Sequence, residues 1–334
     1  MVKLLLNYYS FGYGAGYADK TLPLSSQLSI TSFVKLALEN NLVGIELPFE
    51  KLIQTDANEI TLLRNKINEN KLEVLISIED FSPSLLFSMS NFLNKNDIKC
   101  NGKIRVKMSN NFGGNRYKIN DFDSQIQKFT NNLIEADEYC AKMGYKLGIE
   151  NHQDLTSYEL IDIIESNNLI SVGINWDVGN SFALGQSPKD FYNVIKNHII
   201  NVHLKDYIIV KSNLGSELVR CPLGVGVVNF AETINDIRLL DAKKNNLITM
   251  SIELGAHTPR NIDYFHAEYW EKFPKAIQTG KKKFIQYMKS INSENLNRGE
   301  NNLIYNSPPE IIKKEIKDAI DSIHYIKSLL KKTI

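Results

Sequence analysis

The strongest constraint on this chain is a rhythm. Short apolar runs, often β-branched, alternate with longer segments whose apolar residues recur at helical spacing. Eight runs read as strands, over residues 3–8, 44–49, 73–78, 103–108, 146–151, 171–177, 199–205 and 248–253. Several are continuously apolar, as parallel strands covered on both faces must be. The segments between them carry helix punctuation. Ser82-Pro83 supplies an N-cap and a first-turn proline. Thr156 and Glu159 form a capping box, and Gly144 closes a long central helix. Eight βα units in series predict a closed (β/α)8 TIM barrel, an α/β fold. A doubly wound open sheet fits less well, because no GxGxxG turn follows the first strand.

The barrel is expected over residues 1–292, with a short helix over 284–292. Residues 293–334 read as a polar linker and a C-terminal amphipathic helix. Ile311, Ile312, Ile316, Ala319, Ile320, Ile323, Ile326 and Leu330 form its apolar stripe. Packing on the outer ring is preferred to a subunit contact, because the fold requires outer helices.

Composition narrows the function. Lys+Arg 39 against Asp+Glu 38 gives a net charge of +1, which argues against a nucleic-acid partner. Cys100, Cys140 and Cys221 form no CxxC pair, so a thiolate zinc ribbon is excluded and a reducing compartment suits the chain. No run of 18 apolar residues and no signal-peptide core occur, so a cytoplasmic protein without a membrane partner is expected. GxSxG and GxxxxGK[ST] are absent, which gives acyl and phosphoryl transfer little support.

In a barrel the chemistry sits where strands end. Strand five ends in LGIENH, which presents Glu150 and His152. Strand six ends at Asp177, strand seven in VHLKD with His203, Lys205 and Asp206, and strand eight at Glu253. Neighbouring strands are about 4.8 Å apart, so four such residues can converge on one ion. Glu150, Asp177, His203 and Glu253 make a hard, oxygen-rich ligand set for one divalent cation. Mn²⁺ is the first choice, with Mg²⁺, Co²⁺ or Zn²⁺ as alternatives. Singly, each has a plainer reading: a solvated strand end for a Glu, a core imidazole for His203, a turn former for Asp177.

The strings GIENH, WDVGN, VHLKD and SIEL resemble the xylose-isomerase-like barrel superfamily, the sugar phosphate isomerase/epimerase group, over roughly residues 1–290. The resemblance implies the same four metal ligands. It also implies that Arg220, in RCPLGVG, touches the substrate. The endonuclease branch needs three metals and early histidines, and xylose isomerase proper uses an early-strand histidine. Here the first of the six histidines is His152, so neither fits. ENHQD-containing members of the group include decarboxylases of 3-oxo sugar acids.

The expected activity is that of a metal-dependent sugar isomerase/epimerase, working on a keto-sugar through a metal-stabilised enediolate. Glu150 and Glu253 are the acid/base pair, and Lys205 is an electrophile or, more plainly, a lysine paired to Asp206. The alternative is a carboxy-lyase acting on a 3-oxo sugar acid, whose carboxylate His152, Arg220 or Arg260 would bind. A non-catalytic sugar-binding barrel is the third reading. Tyr8, Tyr9, Phe11 and Tyr13 are expected at the mouth, and FGYGAGY as a lid. Gly224–Val225–Gly226 is expected either to offer N–H groups to substrate or to be a plain turn. Trp176 precedes a ligand and so points outward. The partner is a small sugar or sugar acid, and homo-oligomerisation is left open.

Overall fold

The computed structural model describes residues 2–23, 26–108, 115–245, 247–255, 257–292 and 307–332. Eight parallel strands close into a barrel: β1 (Lys3–Asn7), β2 (Gly44–Pro48), β3 (Glu73–Ile78), β4 (Lys103–Val106), β5 (Lys146–Glu150), β6 (Val172–Asp177), β7 (Ile199–Leu204) and β10 (Thr249–Ile252). The last strand pairs with the first, Leu6 against Ile252. Between β7 and β10 the chain makes the hairpin β8 (Tyr207–Lys211) and β9 (Ser216–Arg220), onto which β11 (Arg260–Ile262) adds as a third antiparallel strand. The sequence reading left this small sheet unassigned.

The helices are α1 (Ile30–Glu39), α2 (Phe49–Leu52), α3 (Ala57–Asn70), α4 (Pro83–Lys95), α5 (Phe122–Met143), α6 (Ser157–Ser166), α7 (Pro188–Ile195), α8 (Phe230–Lys243), α9 (Ala267–Glu271), α10 (Lys275–Asn292) and α11 (Pro308–Lys332). Ser82 accepts the Leu85 N–H at the start of α4, and the Thr156–Glu159 capping box opens α6. Gly144 ends α5 at φ 70°, a left-handed conformation that glycine adopts without Cβ strain. The helix expected over 284–292 begins earlier, at Lys275. The linker expected from 293 lies outside the described residues up to 306. No helix among the described residues is long and apolar enough to cross a membrane.

Strand alternation divides the molecule into two interiors. Residues such as Ile45, Ile76, Ile149, Ile174, Leu204 and Ile252 face outward into the apolar layer beneath the helices. The intervening residues face the barrel axis and are largely polar. Asn201 is hydrogen bonded to Asn175, and Thr249 Oγ1 donates to Asn201 Oδ1 at 2.5 Å. Above this layer, at the C-terminal ends of the strands, the charges gather.

Candidate active site

Glu150, Asp177, His203 and Glu253 end β5, β6, β7 and β10 and meet at the mouth. Each offers one ligand atom, and these atoms all lie within 4.8 Å of one another. All four residues are buried. His203 Nδ1 lies 2.8 Å from Glu253 Oε2 and 3.9 Å from Glu150 Oε1. Glu150 Oε1 is buried without a hydrogen bond, while Asp177 Oδ2 faces Lys205 and His203 Nδ1 faces Glu253. Leaving a buried carboxylate oxygen unsatisfied is costly, and a cation is a partner that would satisfy it. Three carboxylates and one imidazole therefore fit a divalent cation of hard or borderline character.

The first four strands build the surroundings. From β2, Glu46 accepts from His203 Nε2 at 3.0 Å, which turns Nδ1 toward the ligand cluster. An outer carboxylate of this kind fixes the orientation of a ligating imidazole. From β1, Asn7 Nδ2 donates to Glu253 Oε2 at 2.7 Å. From β4, Arg105 Nε lies 3.3 Å from Glu150 Oε2 and 3.7 Å from Glu46 Oε1, while Nη1 reaches Glu79 Oε1 at 2.7 Å. Lys107 also pairs with Glu79. Tyr9 lies under the Arg105 guanidinium, 5.3 Å from ring centroid to Cζ, and stacks on Tyr17 at 4.7 Å. Nothing in one sequence says that Glu46, Glu79, Arg105 and Lys107 pair.

Lys205 is buried, and its ammonium lies 2.5 Å from Asp177 Oδ2 and 2.6 Å from Glu253 Oε1. The pairing with Asp206 is thus corrected. Asp206 instead accepts the backbone N–H groups of Tyr207, Gly224, Gly226 and Val228 at 2.9–3.0 Å. A Cβ on Gly226 would overlap Asp206 Oδ1 and the Tyr207 carbonyl, so the loop can wrap the carboxylate only through glycine. The Gly224 and Gly226 N–H groups are spent on Asp206, not held for a substrate. Burial pushes the Asp206 carboxyl up to about 6 despite these donors.

The ion pairs of the mouth join five carboxylates (Glu46, Glu79, Glu150, Asp177, Glu253) to three cations (Arg105, Lys107, Lys205). Burial pushes Glu150 up to about 7, with Arg105 opposing and Glu253 reinforcing the shift. Burial likewise raises Asp177. Burial works against ionised Glu253 too, but Lys205 and His203 outweigh it and hold that carboxyl well below its usual range. His203 is disfavoured as a cation by burial, yet Glu46 and Glu253 raise it well above an ordinary imidazole. Burial, then Lys107 and Arg260, keep His152 neutral.

The other expected site residues divide. His152 lies above Glu150, within electrostatic reach of Arg260, Lys107 and Lys205. Arg220 Nη1 is tied to Asp318 Oδ2 at 2.7 Å. Tyr8 is fully buried, and its hydroxyl donates to the Leu28 carbonyl at 2.6 Å, so Tyr9 and not Tyr8 stands beside the charged cluster. Trp176 points away from the axis, as strand alternation requires, and packs on Tyr192 of α7 with ring centroids 5.5 Å apart.

A parallel eightfold barrel with four ligand-type side chains on consecutive strands at its C-terminal mouth defines a class of metal-site α/β barrels. The model of the xylose isomerase-like TIM barrel family matches residues 34–271, and the chain belongs to that family. It is 24% identical over 200 residues to the uncharacterized protein YihM of Escherichia coli (strain K12), covering 60% of this chain and 56% of that one. It is 21% identical over 118 residues to 3-oxo-isoapionate decarboxylase of Pectobacterium atrosepticum, covering 35% of this chain and 42% of that one. The matches thus span about half the length of these curated relatives. D-allulose 3-epimerase from Methylomonas sp. shares the fold over 98% of both chains, with a TM-score of 0.56 at 12% identity.

Proposed function

We propose that the protein is a divalent-metal-dependent sugar isomerase or epimerase acting on a ketose or related keto-sugar. The observation that carries this reading is the contrast between Glu150 and Glu253. They come from strands three apart in the barrel and face one point, yet their surroundings push their acidities in opposite directions. Two carboxyl groups separated in this way suit the roles of acid and base. A divalent cation held by Glu150, Asp177, His203 and Glu253 supplies Lewis-acid polarisation of the substrate carbonyl.

The chain's own residues do the rest. Glu253, kept ionised by Lys205 and His203, takes the proton from the carbon next to the carbonyl. Glu150, on the strand across the mouth, returns a proton to the opposite face of the substrate. Return to the same carbon inverts it, and return to its neighbour moves the carbonyl. The Lys205 ammonium faces the oxygen that becomes negative and stabilises it. Tyr9, stacked on Tyr17, lies against Arg105 on that side of the mouth.

A second reading has its own support. Lys107, Arg260 and Lys205 surround His152, a setting that suits a substrate carboxylate, and one relative is a decarboxylase. On that reading the proton placed on carbon replaces CO₂. Incubation of the Mn²⁺-loaded protein with ketoses and 3-oxo sugar acids in D₂O separates the two. Deuterium at the carbon next to the carbonyl, with no change in carbon count, is expected. CO₂ release would favour the lyase, and neither signal from any substrate would leave the non-catalytic barrel.

A further inference from the structure

The face that α11 turns to the barrel is not wholly apolar. Ala319, Ile323 and Ile326 are fully buried there, but so are Glu315 and Ser322, and Asp318 nearly so. Their partners outside the helix lie in or beside the loops around the mouth. Glu315 Oε1 accepts the Tyr13 N–H at 2.8 Å, and Oε2 accepts the Gly14 N–H at 2.9 Å. His257, in the loop after β10, places Nε2 2.8 Å from Glu315 Oε1. Asp318 holds Arg220 of β9, and Ser322 Oγ accepts the Leu223 N–H at 3.0 Å. One helix face, 58 to 302 residues away in sequence, thus ties down three separate segments of the mouth.

We infer that Glu315 is a positioning residue of the active site: from α11 it sets the loop after β1 so that Tyr17 stacks on Tyr9 over the Arg105–Glu79 pair. The physical ground is reciprocal. A buried carboxylate without partners is very costly, so α11 docks with Glu315 inside only when the loop presents its two N–H groups. The loop, in turn, is a series of tight turns, with Ala15 N–H on the Phe11 carbonyl and Tyr17 and Ala18 N–H on the Gly12 carbonyl. Its glycines admit the carboxylate: a Cβ on Gly14 would stand 3.3 Å from Glu315 Oε2. The segment that reads as a lid in the sequence is a clasped cover, and the clasp is the C-terminal helix. The inference uses the proposed location of the active site but not the reaction.

Amide hydrogen exchange of the full-length wild type, Glu315→Ala and Glu315→Gln tests it. In Glu315→Ala, exchange at Tyr13, Gly14, Tyr17 and Ala18 is expected to rise on the order of tenfold or more, with β5 and β6 unchanged. Glu315→Gln fills the same space but keeps one acceptor oxygen, so it is expected to restore only part of that protection, whereas a purely space-filling role would predict full restoration. Should the alanine variant fail to fold, faster exchange at Tyr13 or Gly14 in the glutamine variant carries the same information. Wild-type protection of the loop in both variants would overturn the inference. Mn²⁺ affinity, measured alongside, is expected to be unchanged, because Glu315 touches none of the four ligand side chains. Absence of Mn²⁺ binding in every protein would count against the proposed function and leave the exchange result standing.

Discussion

The two halves of the barrel contribute differently to one site. The strands β5, β6, β7 and β10 supply the four converging ligand side chains. The strands β1, β2 and β4, with Glu79 after β3, supply the groups that hold them: Asn7 on Glu253, Glu46 on His203, Arg105 on Glu150 and Glu79. The first half contains no histidine and, among the described residues, no candidate ligand, yet its side chains hold Glu253, His203 and Glu150. Ligand identity and ligand orientation are thus encoded in separate parts of the chain.

Substitutions on the two sides should separate these roles. The largest effect is expected from Glu253→Gln, which removes a ligand oxygen and the partner of both Lys205 and His203. Mn²⁺ affinity by calorimetry should fall more than about a hundredfold. Glu46→Gln leaves every ligand in place but loosens His203, and the expected loss is roughly 10- to 100-fold. An undiminished affinity in this variant would break the distinction between holding and ligating. Proton competition should come next. The Glu150 carboxyl sits near 7 in the cation-free chain, so a cation binding to its ionised form must release a proton at lower pH. The protonated, raised His203 acts in the same direction. Affinity should therefore rise with pH through about 7, by about tenfold per unit for each proton released. A flat profile from pH 5.5 to 7.5 would mean that neither group is a ligand. The smallest effect is reserved for Trp176→Phe, next to a ligand but on the outer face. It should cost stability of about 1–2 kcal/mol in denaturant unfolding and shift Mn²⁺ affinity by less than about twofold.

The barrel was legible because parallel strands buried on both faces write themselves as apolar runs. All eight appear within two residues of their expected bounds, and 73–78 matches at both ends. The four ligands were legible because alternation and strand order place them. Helix α3 was not, although Asp56 caps it, since Ile60, Leu63 and Ile67 are its only buried residues among polar neighbours. The β8–β9 hairpin followed a strand end so closely that it looked like its loop. Long-range polar pairs were the least legible. Arg220 was singled out by resemblance alone, and its ion pair with Asp318, 98 residues away, left no mark in the sequence. Glu315 sits beside the apolar stripe of α11, where an acidic residue ordinarily faces water, and only the Tyr13 and Gly14 amides explain its burial.

The most direct test of the account is the cation content of the purified, Mn²⁺-reconstituted protein, with His203→Ala beside the wild type. One ion per chain is expected in the wild type, held tightly enough to survive desalting, and none in the variant. Undiminished Mn²⁺ in His203→Ala, or no bound ion in the wild type, would contradict a centre built from β5, β6, β7 and β10.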